Sequence, residues 1–105
     1  MYNAYNKVGD FFMKSINVEE LKNITENIID LRSIEKYNDN HIPNSINIPS
    51  EKILLEPNKY LNKNETYYLY CQKGISSNNI CRILTKLGYK TVNINGGYER
   101  WLMTK

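Results

Sequence analysis

The chain has 105 residues, of which 41% are hydrophobic, so it is long enough for one domain with a small core. Its formal net charge of +3 comes from lysines and arginines scattered along the chain, which argues against the basic stripe of a nucleic-acid-binding protein. There is no apolar run near the roughly 18 residues of a membrane span and no signal-peptide pattern, so we expect a cytoplasmic protein that binds neither membrane nor nucleic acid.

The N-terminal part of the sequence has two different patterns. Residues 1–13 show little periodicity and are predicted to be an N-terminal extension, whereas residues 14–105 are predicted to form the domain. The domain begins with a short strand that leads into a helix. Asn17 and Glu20 have the spacing of a capping box, which predicts where this helix begins.

Short strands and helices then alternate as far as residue 57. The run 27–32 contains two adjacent isoleucines, a pattern typical of a strand that is buried on both faces of a parallel sheet. Ser33 is expected to cap a short helix, and residues 45–48 are expected to form another short strand. Pro57 is expected to end the helical turns that precede it.

The second half of the chain contains the strongest strand and the longest helix. Residues 65–71 are rich in tyrosine, with threonine and leucine, and predict a strand. Ser77 is expected to cap the following helix, and Gly88 to end it in a left-handed conformation. The apolar residues at helical spacing in this helix are Ile80, Ile83, Leu84 and Leu87.

The end of the chain repeats the alternation. Residues 91–94 predict a fifth strand, and the segment after Gly96 and Gly97 predicts a short helix that buries Trp101. Strands that alternate with helices predict an α/β domain, with three layers and a central, mainly parallel five-stranded sheet flanked by helices.

A loop of unusual composition, YCQKGISS at residues 70–77, joins the strongest strand to the longest helix. Ligands of α/β sheets bind beyond the carboxyl ends of the strands, where Cys71 is predicted to lie. Gly74 allows the backbone to curl so that successive amides form a nest for an anion. The helix N-terminus and Lys73 are expected to stabilise a nucleophilic thiolate, to which Ser76 and Ser77 can donate.

The other cysteine and the single histidine favour simpler interpretations. Cysteine is often a small buried hydrophobe, and we expect this of Cys81, on the apolar side of its helix. A disulfide between Cys71 and Cys81 is not expected from their placement or from a cytoplasmic location. His41 stands alone, so no metal site is predicted.

Three segments in the right order resemble the rhodanese-like sulfurtransferases, over roughly residues 14–103. The loop from Cys71 to Ser76 resembles the family's six-residue active loop, Cys-x-x-Gly-x-x. The upstream match is carried by Asp30, Arg32, His41, Ile42, Pro43 and Pro49. The downstream match is carried by Leu87, Gly88, Gly96, Gly97 and Trp101.

The resemblance implies that Cys71 takes a sulfane sulfur from a donor, holds it as a persulfide and passes it to a thiol or cyanide, without any cofactor. The donor would be thiosulfate, a polysulfide or a protein persulfide. The residues implied to bind the substrate or persulfide are Gln72, Lys73, Gly74, Ile75, Ser76 and Ser77. Asp30, Arg32 and His41 are implied to support the site structurally rather than to catalyse.

Two departures from the family pattern affect the expected donor. Members suited to thiosulfate often carry arginine after the cysteine and arginine or threonine at the sixth loop position, where this chain has Gln72 and Ser76. Lys73 replaces only part of the lost charge. The departures weaken the case for thiosulfate as the preferred donor and leave a polysulfide or a protein persulfide open.

Two alternatives to a sulfurtransferase remain. A non-catalytic or regulatory rhodanese module would bind a partner or relay sulfur, although the inactive modules usually lack the cysteine that is present here. A phosphatase or arsenate reductase of the same fold would need arginine after five loop residues, where this chain has Ser77. The next arginine, Arg82, is predicted to lie well inside the helix, so this alternative is the less favoured.

Overall fold

A computed structural model describes residues 14–105, so the expected extension over residues 1–13 lies outside the described part. The strands are β1 (Lys14–Asn17), β2 (Ile28–Asp30), β3 (Ser45–Asn47), β4 (Thr66–Tyr70) and β5 (Lys90–Asn95). A 3₁₀ helix (Val18–Asn23) precedes the α-helices α1 (Ile34–Asp39), α2 (Ser50–Leu55), α3 (Pro57–Tyr60), α4 (Ile75–Lys86) and α5 (Gly97–Leu102).

The five strands form one sheet in the order β1-β5-β4-β2-β3, and every pair is parallel. The structure therefore confirms the predicted parallel α/β architecture. Because β4 lies between β5 and β2, the carboxyl ends of these three strands meet at the same edge of the sheet. Side chains from three separate parts of the chain are thus brought together where β4 ends.

The helices cover both faces of the sheet. One core cluster joins Ile29 and Leu69 of the sheet to Ile53 of α2 and to Leu84 of α4. On the opposite face, the 3₁₀ helix and α5 pack against Ile28 and Tyr70, as shown by the second cluster of buried residues. Successive residues of β4 alternate between the two clusters, as the pleat of a strand requires.

Several predicted boundaries are confirmed. Asn17 and Glu20 form the capping box, and Ser33 Oγ accepts a hydrogen bond from the amide of Lys36. The helix over Ser50–Leu55 ends before Pro57, although Pro57 itself begins the one-turn helix α3, which the sequence did not predict. Within residues 14–105, no helix has both the length and the apolar character needed to cross a bilayer.

The predicted face of α4 is wrong in part. Ile80 and Leu84 are buried as expected, but Ile83 and Leu87 are 44% and 50% exposed. The buried stripe instead follows i, i+3, i+4 and i+7 from Ser77, and it includes Cys81. The prediction used only the isoleucines and leucines. Because Ser77 and Cys81 also belong to the buried stripe, the predicted buried face was displaced around the helix axis.

Two smaller expectations also need correction. Ser77 does not cap α4, because Gly74 occupies the N-cap position with φ +92°, and the helix begins two residues before Ser77. Trp101 is only partly buried, and its ring packs 5.7 Å from that of Tyr98.

Candidate active site

The loop after β4 is built by glycines that allow two backbone segments to approach closely. Gly74 has a positive φ, and a Cβ there would come within 2.7 Å of the amide nitrogen of Gly96. Gly97 also has a positive φ, and a Cβ there would collide with the carbonyl oxygen of Cys71. These contacts explain why glycine is required on both sides of the approach.

The N-terminus of α5 fixes the orientation of the loop. The amide of Tyr98 donates to Cys71 O at 2.9 Å, and the amide of Glu99 donates to Gln72 O at 3.0 Å. Both carbonyl groups therefore point towards α5. The amides that follow in the loop are then free to turn towards the Cys71 side chain.

Backbone donors converge on the sulfur of Cys71. The amides of Gly74 and Ser77 lie 3.1 and 3.2 Å from Sγ. The side chain of Ser77 adds a third polar contact, with Oγ at 3.3 Å from Sγ. Amide groups that are fixed around a sulfur in this way stabilise negative charge on it. This convergence matches the nest expected from the loop sequence.

A cavity of about 500 Å³ opens at Cys71. We call its entrance the mouth, which is lined by Arg32, Lys36, Gln72, Lys73, Ile75 and Ser76, with Ser50 and others. Lys36 and Lys73 are exposed, so their ammonium groups give the mouth a positive charge. The predicted loop residues thus lie together, and Lys36 on α1 adds a cation that the sequence did not single out.

Asp30 and Arg32 form a buried ion pair beneath the mouth. Arg32 Nη2 lies 2.8 Å from Asp30 Oδ2, and the guanidinium stacks over the ring of Tyr98 at 3.9 Å. Burial alone would lower the pKa of Arg32, but the hydrogen bond and charge of Asp30 outweigh it and raise the pKa. The guanidinium therefore stays charged and is held by its partner.

The same pair is tied to the loop and to the strand that precedes Cys71. Arg32 Nη1 lies 3.4 Å from Gln72 Oε1, and Tyr70 Oη donates to Asp30 Oδ2 at 2.6 Å. Desolvation by burial, together with this bond, raises the pKa of Tyr70, so the phenol keeps its proton. These contacts place Asp30 and Arg32 beside the loop, and their supporting role stays a prediction.

His41 makes local contacts with Tyr37 of α1. Its Nδ1 is 2.8 Å from the carbonyl oxygen of Tyr37, and the two rings stack at 3.8 Å. These contacts hold the segment that leads into β3. The structural role of His41 stays a prediction.

A scan against protein-family models matches the rhodanese-like domain over residues 17–104. This chain belongs to the rhodanese-like family. Thiosulfate sulfurtransferase GlpE of Coxiella burnetii is 33% identical over 75 residues, which are 70% of this chain and 69% of that protein. Thiosulfate sulfurtransferase PspE of Escherichia coli is 33% identical over 81 residues, which are 76% and 78% of the two chains.

Comparison with solved structures supports the same family. A crystal structure of a rhodanese-like domain protein from Staphylococcus aureus superposes with a TM-score of 0.76 at 35% identity. The match covers 85% of this chain and 91% of that one.

In this rhodanese-like domain, Ser77 occupies the position at which a phosphatase loop would carry arginine. Ser77 is completely buried, and its hydroxyl donates to Asn93 Oδ1 at 2.5 Å. Arg82 is exposed on α4. This arrangement provides no guanidinium from the loop to surround a tetrahedral oxyanion, so the geometry disfavours the phosphatase alternative.

Besides Lys36, three residues at or beside the site were not identified from the sequence. Tyr70 and Tyr98 have no feature in the sequence that distinguishes them from the other tyrosines, yet they contact Asp30 and Arg32. Asn93 was not considered, because asparagine is common throughout this chain. A buried-strand pattern that contains a polar residue, as β5 does at position 93, is the signal that would have identified it.

Proposed function

We propose that this rhodanese-like domain is a sulfurtransferase that carries sulfane sulfur as a persulfide on Cys71. The observation that supports this most directly is the convergence of the Gly74 and Ser77 amides on Sγ. The sulfurtransferase names of relatives at 33% identity support the same class of reaction. A cytoplasmic location fits the two thiols, which are free in the described residues.

The first half of the reaction loads the sulfur. The Cys71 thiolate attacks the outer sulfur of the donor, and a new S–S bond forms as the donor's own S–S bond breaks. With thiosulfate, sulfite leaves with the bonding electron pair, and the negative charge of the thiolate moves to the terminal sulfur of the persulfide. The total charge of reactants and products is the same.

The second half unloads the sulfur. A thiolate or cyanide attacks the terminal sulfur, the S–S bond to Cys71 breaks, and Sγ leaves with the electron pair as a thiolate. The amides of Gly74 and Ser77 stabilise this leaving group because they already point at Sγ. Cyanide would become thiocyanate, and a thiol would become a persulfide.

The start of α4 provides further donors for the outer sulfur. The first amides of a helix have no intrahelical partner. At α4, Ser77 N donates to Sγ and Asn78 N donates to Gly74 O, whereas within residues 14–105 the amides of Ile75 and Ser76 meet no protein acceptor. These two amides lie at the mouth, so we assign them to the terminal sulfur of the persulfide.

The donor is proposed to be an anion. Lys36 and Lys73 surround the mouth with positive charge, which raises the local concentration of thiosulfate or a polysulfide. Within the described residues the only guanidinium at the mouth is that of Arg32, and it is already paired with Asp30. We therefore expect slower loading by thiosulfate than by a polysulfide or a protein persulfide.

Mass spectrometry of the intact protein tests the proposal. The chain is incubated with thiosulfate, with polysulfide and with a persulfidated protein, and we expect a gain of one sulfur atom that cyanide removes. Cys71→Ser should abolish the adduct, whereas the matched control Cys81→Ser should retain it. The proposal is wrong if no donor loads the chain, or if the adduct persists in Cys71→Ser.

A further inference from the structure

A buried hydrogen-bond chain reaches Cys71 from the neighbouring strand β5. Asn93 on β5 is only 3% exposed, and its Oδ1 accepts the hydroxyl of Ser77 at 2.5 Å. Ser77 Oγ in turn lies 3.3 Å from Cys71 Sγ. The Ser77 hydroxyl is therefore shared between an amide oxygen and the nucleophilic sulfur, although it has only one hydrogen.

The direction of this hydrogen bond is set by a series of amides that we call the asparagine ladder (Asn17, Asn95 and Asn93). Asn17 lies at the start of the 3₁₀ helix, where its backbone amide donates to Glu20 Oε2 at 2.9 Å. Asn95 Nδ2 donates to Asn17 Oδ1 at 3.2 Å, and Asn93 Nδ2 donates to Asn95 Oδ1 at 3.4 Å. Asn93 Oδ1 is then the atom that faces Ser77.

A backbone contact supports the same orientation of Asn93. Its Nδ2 makes a long contact of 3.5 Å with the carbonyl oxygen of Gly74, which can only accept. If the amide were reversed, two oxygen atoms would face each other at this position. Ser77 therefore gives its hydrogen to Asn93 and presents a lone pair to Cys71.

This polarity distinguishes the protonated sulfur from the thiolate. In the thiol, the S–H group of Cys71 donates to Ser77 Oγ. In the thiolate, the lone pair of Ser77 faces a negative charge, and the hydroxyl can donate to Sγ only if it leaves Asn93 Oδ1 without a donor in a buried site. The backbone amides of Gly74 and Ser77 stabilise the anion without leaving a buried acceptor unpaired.

We infer that Asn93 is a positioning residue that turns the Ser77 hydroxyl away from Cys71 and thereby withholds a hydrogen-bond donor from the thiolate. The effect of this positioning on sulfur transfer rests on the proposed function, whereas the orientation of the Ser77 hydroxyl does not. In the persulfide the charge lies on the terminal sulfur rather than on Sγ, so the same polarity favours the loaded form over the free thiolate.

Other charged and titratable groups face this site and stay the same in the variants below. They are Arg32, Lys36 and Lys73 at the mouth, Asp30 paired with Arg32, Glu99 bonded to Gln72, and the thiol of Cys81 on α4.

Alkylation of Cys71 by iodoacetamide across a pH series tests the inference without any sulfur transfer. In Asn93→Leu the freed hydroxyl donates to the thiolate, so the midpoint should move about one pH unit towards acid. The limiting rate at high pH should fall about threefold, because a less basic thiolate is a weaker nucleophile. Peptide mapping assigns the label to Cys71.

Two further variants separate positioning from a general structural effect. In Ser77→Ala the hydroxyl is absent, so adding Asn93→Leu should not move the midpoint again. The matched control is Thr91→Val on the same strand. The buried hydroxyl that it removes donates to Cys81 O and not to Cys71. Thr91→Val should leave the profile unchanged.

Asn93→Ala takes the place of Asn93→Leu if the larger side chain prevents folding, as judged by circular dichroism. An unchanged midpoint, a shift towards alkaline pH, or an equal shift in the Ser77→Ala background would each overturn the inference. Because alkylation needs no donor, its result stands even if the chain takes up no sulfur.

Discussion

Tyr70 and Asp30 form a 2.6 Å hydrogen bond between two completely buried side chains at the carboxyl ends of neighbouring strands. The same phenol oxygen accepts from the amide of Ile42 at 3.1 Å and lies 3.1 Å from Ser45 Oγ. One hydroxyl at the end of β4 thus joins β2 and the turn before β3 to the residue that precedes Cys71. The strand end that presents Cys71 is held by polar contacts as well as by packing.

Tyr70→Phe tests the importance of this hydroxyl for stability. The substitution keeps the ring but leaves Asp30 Oδ2 without one donor and Ile42 N without an acceptor, both in a buried site. We expect the free energy of unfolding to fall by about 2 kcal/mol. Urea denaturation at neutral pH measures the change.

Tyr68→Phe is the matched control on the same strand. Tyr68 is partly buried, and in the described residues its hydroxyl makes no hydrogen bond to protein. Its substitution should change the stability by less than about 0.5 kcal/mol. Equal losses in the two variants would contradict a specific role for the Tyr70 hydroxyl.

The sequence predicted the geometry of the loop better than the surroundings of the loop. The placement of Cys71 at the end of a strand and of Gly74 before a helix was predicted correctly because a strand, a glycine and a helix start follow one another locally. The contact of Asn93 with Ser77 could not be predicted, since it depends on β5 lying beside β4, and the order of strands is not encoded in local periodicity. Ser77 was misassigned as a cap for a related reason, because the left-handed Gly74 starts the helix earlier.

Gly97→Ala should lower both the stability of the chain and the reactivity of the Cys71 thiol. A methyl group there would collide with the carbonyl oxygen of Cys71 and approach Gln72 O to 3.0 Å, in addition to the strain of φ +60°. We expect a loss above about 2 kcal/mol and slower alkylation of Cys71, because the loop must shift. Urea denaturation and iodoacetamide labelling measure the two effects.

Gly88→Ala provides the control for strain alone. Its φ is +99°, but the nearest atom to an added methyl group is Lys63 Nζ at 3.4 Å, the flexible end of a side chain. The expected cost is about 1 kcal/mol, with unchanged labelling of Cys71. If Gly88→Ala slowed labelling as much as Gly97→Ala does, the contact with Cys71 would not be the cause.

Cys81 should make the folded chain less stable at alkaline pH. Burial raises the pKa of its thiol from 9.0 to about 12, and the hydrogen bond with Thr91 offsets only part of this. Above about pH 9 the unfolded chain loses a proton that the folded chain keeps, so the free energy of unfolding falls as the pH rises. Below that pH the thiol is protonated in both states and contributes no slope.

Denaturation in reducing buffer at pH 8 and pH 10.5, as rough bounds of this window, isolates the contribution of Cys81. The wild-type chain should lose about 1–2 kcal/mol more than Cys81→Ala between the two conditions. Tyrosines and lysines titrate in both proteins, so their effect cancels in the comparison. Equal losses would show that the Cys81 thiol ionises as readily in the folded chain as in the unfolded one.

Lys36 should favour anionic reagents at Cys71 over neutral ones. Its ammonium group lines the mouth from α1 without being part of the loop, so its charge can be removed while the amides around Sγ stay in place. In Lys36→Gln we expect alkylation by iodoacetate to slow about twofold and alkylation by iodoacetamide to stay the same. Added salt should shrink the difference, because it screens exposed charges.

The prediction is judged by the rate constant for iodoacetate divided by that for iodoacetamide. Any change in the thiolate fraction of Cys71 affects both reagents equally and cancels in this ratio. Lys86→Gln, at the far end of α4, removes the same charge away from the mouth and should leave the ratio unchanged. If the ratio fell in both lysine variants, the preference for iodoacetate would depend on the net charge of the chain rather than on the position of Lys36. A fall in Lys36→Gln alone, matched by slower loading from thiosulfate, would identify α1 as part of the surface that admits the sulfur donor.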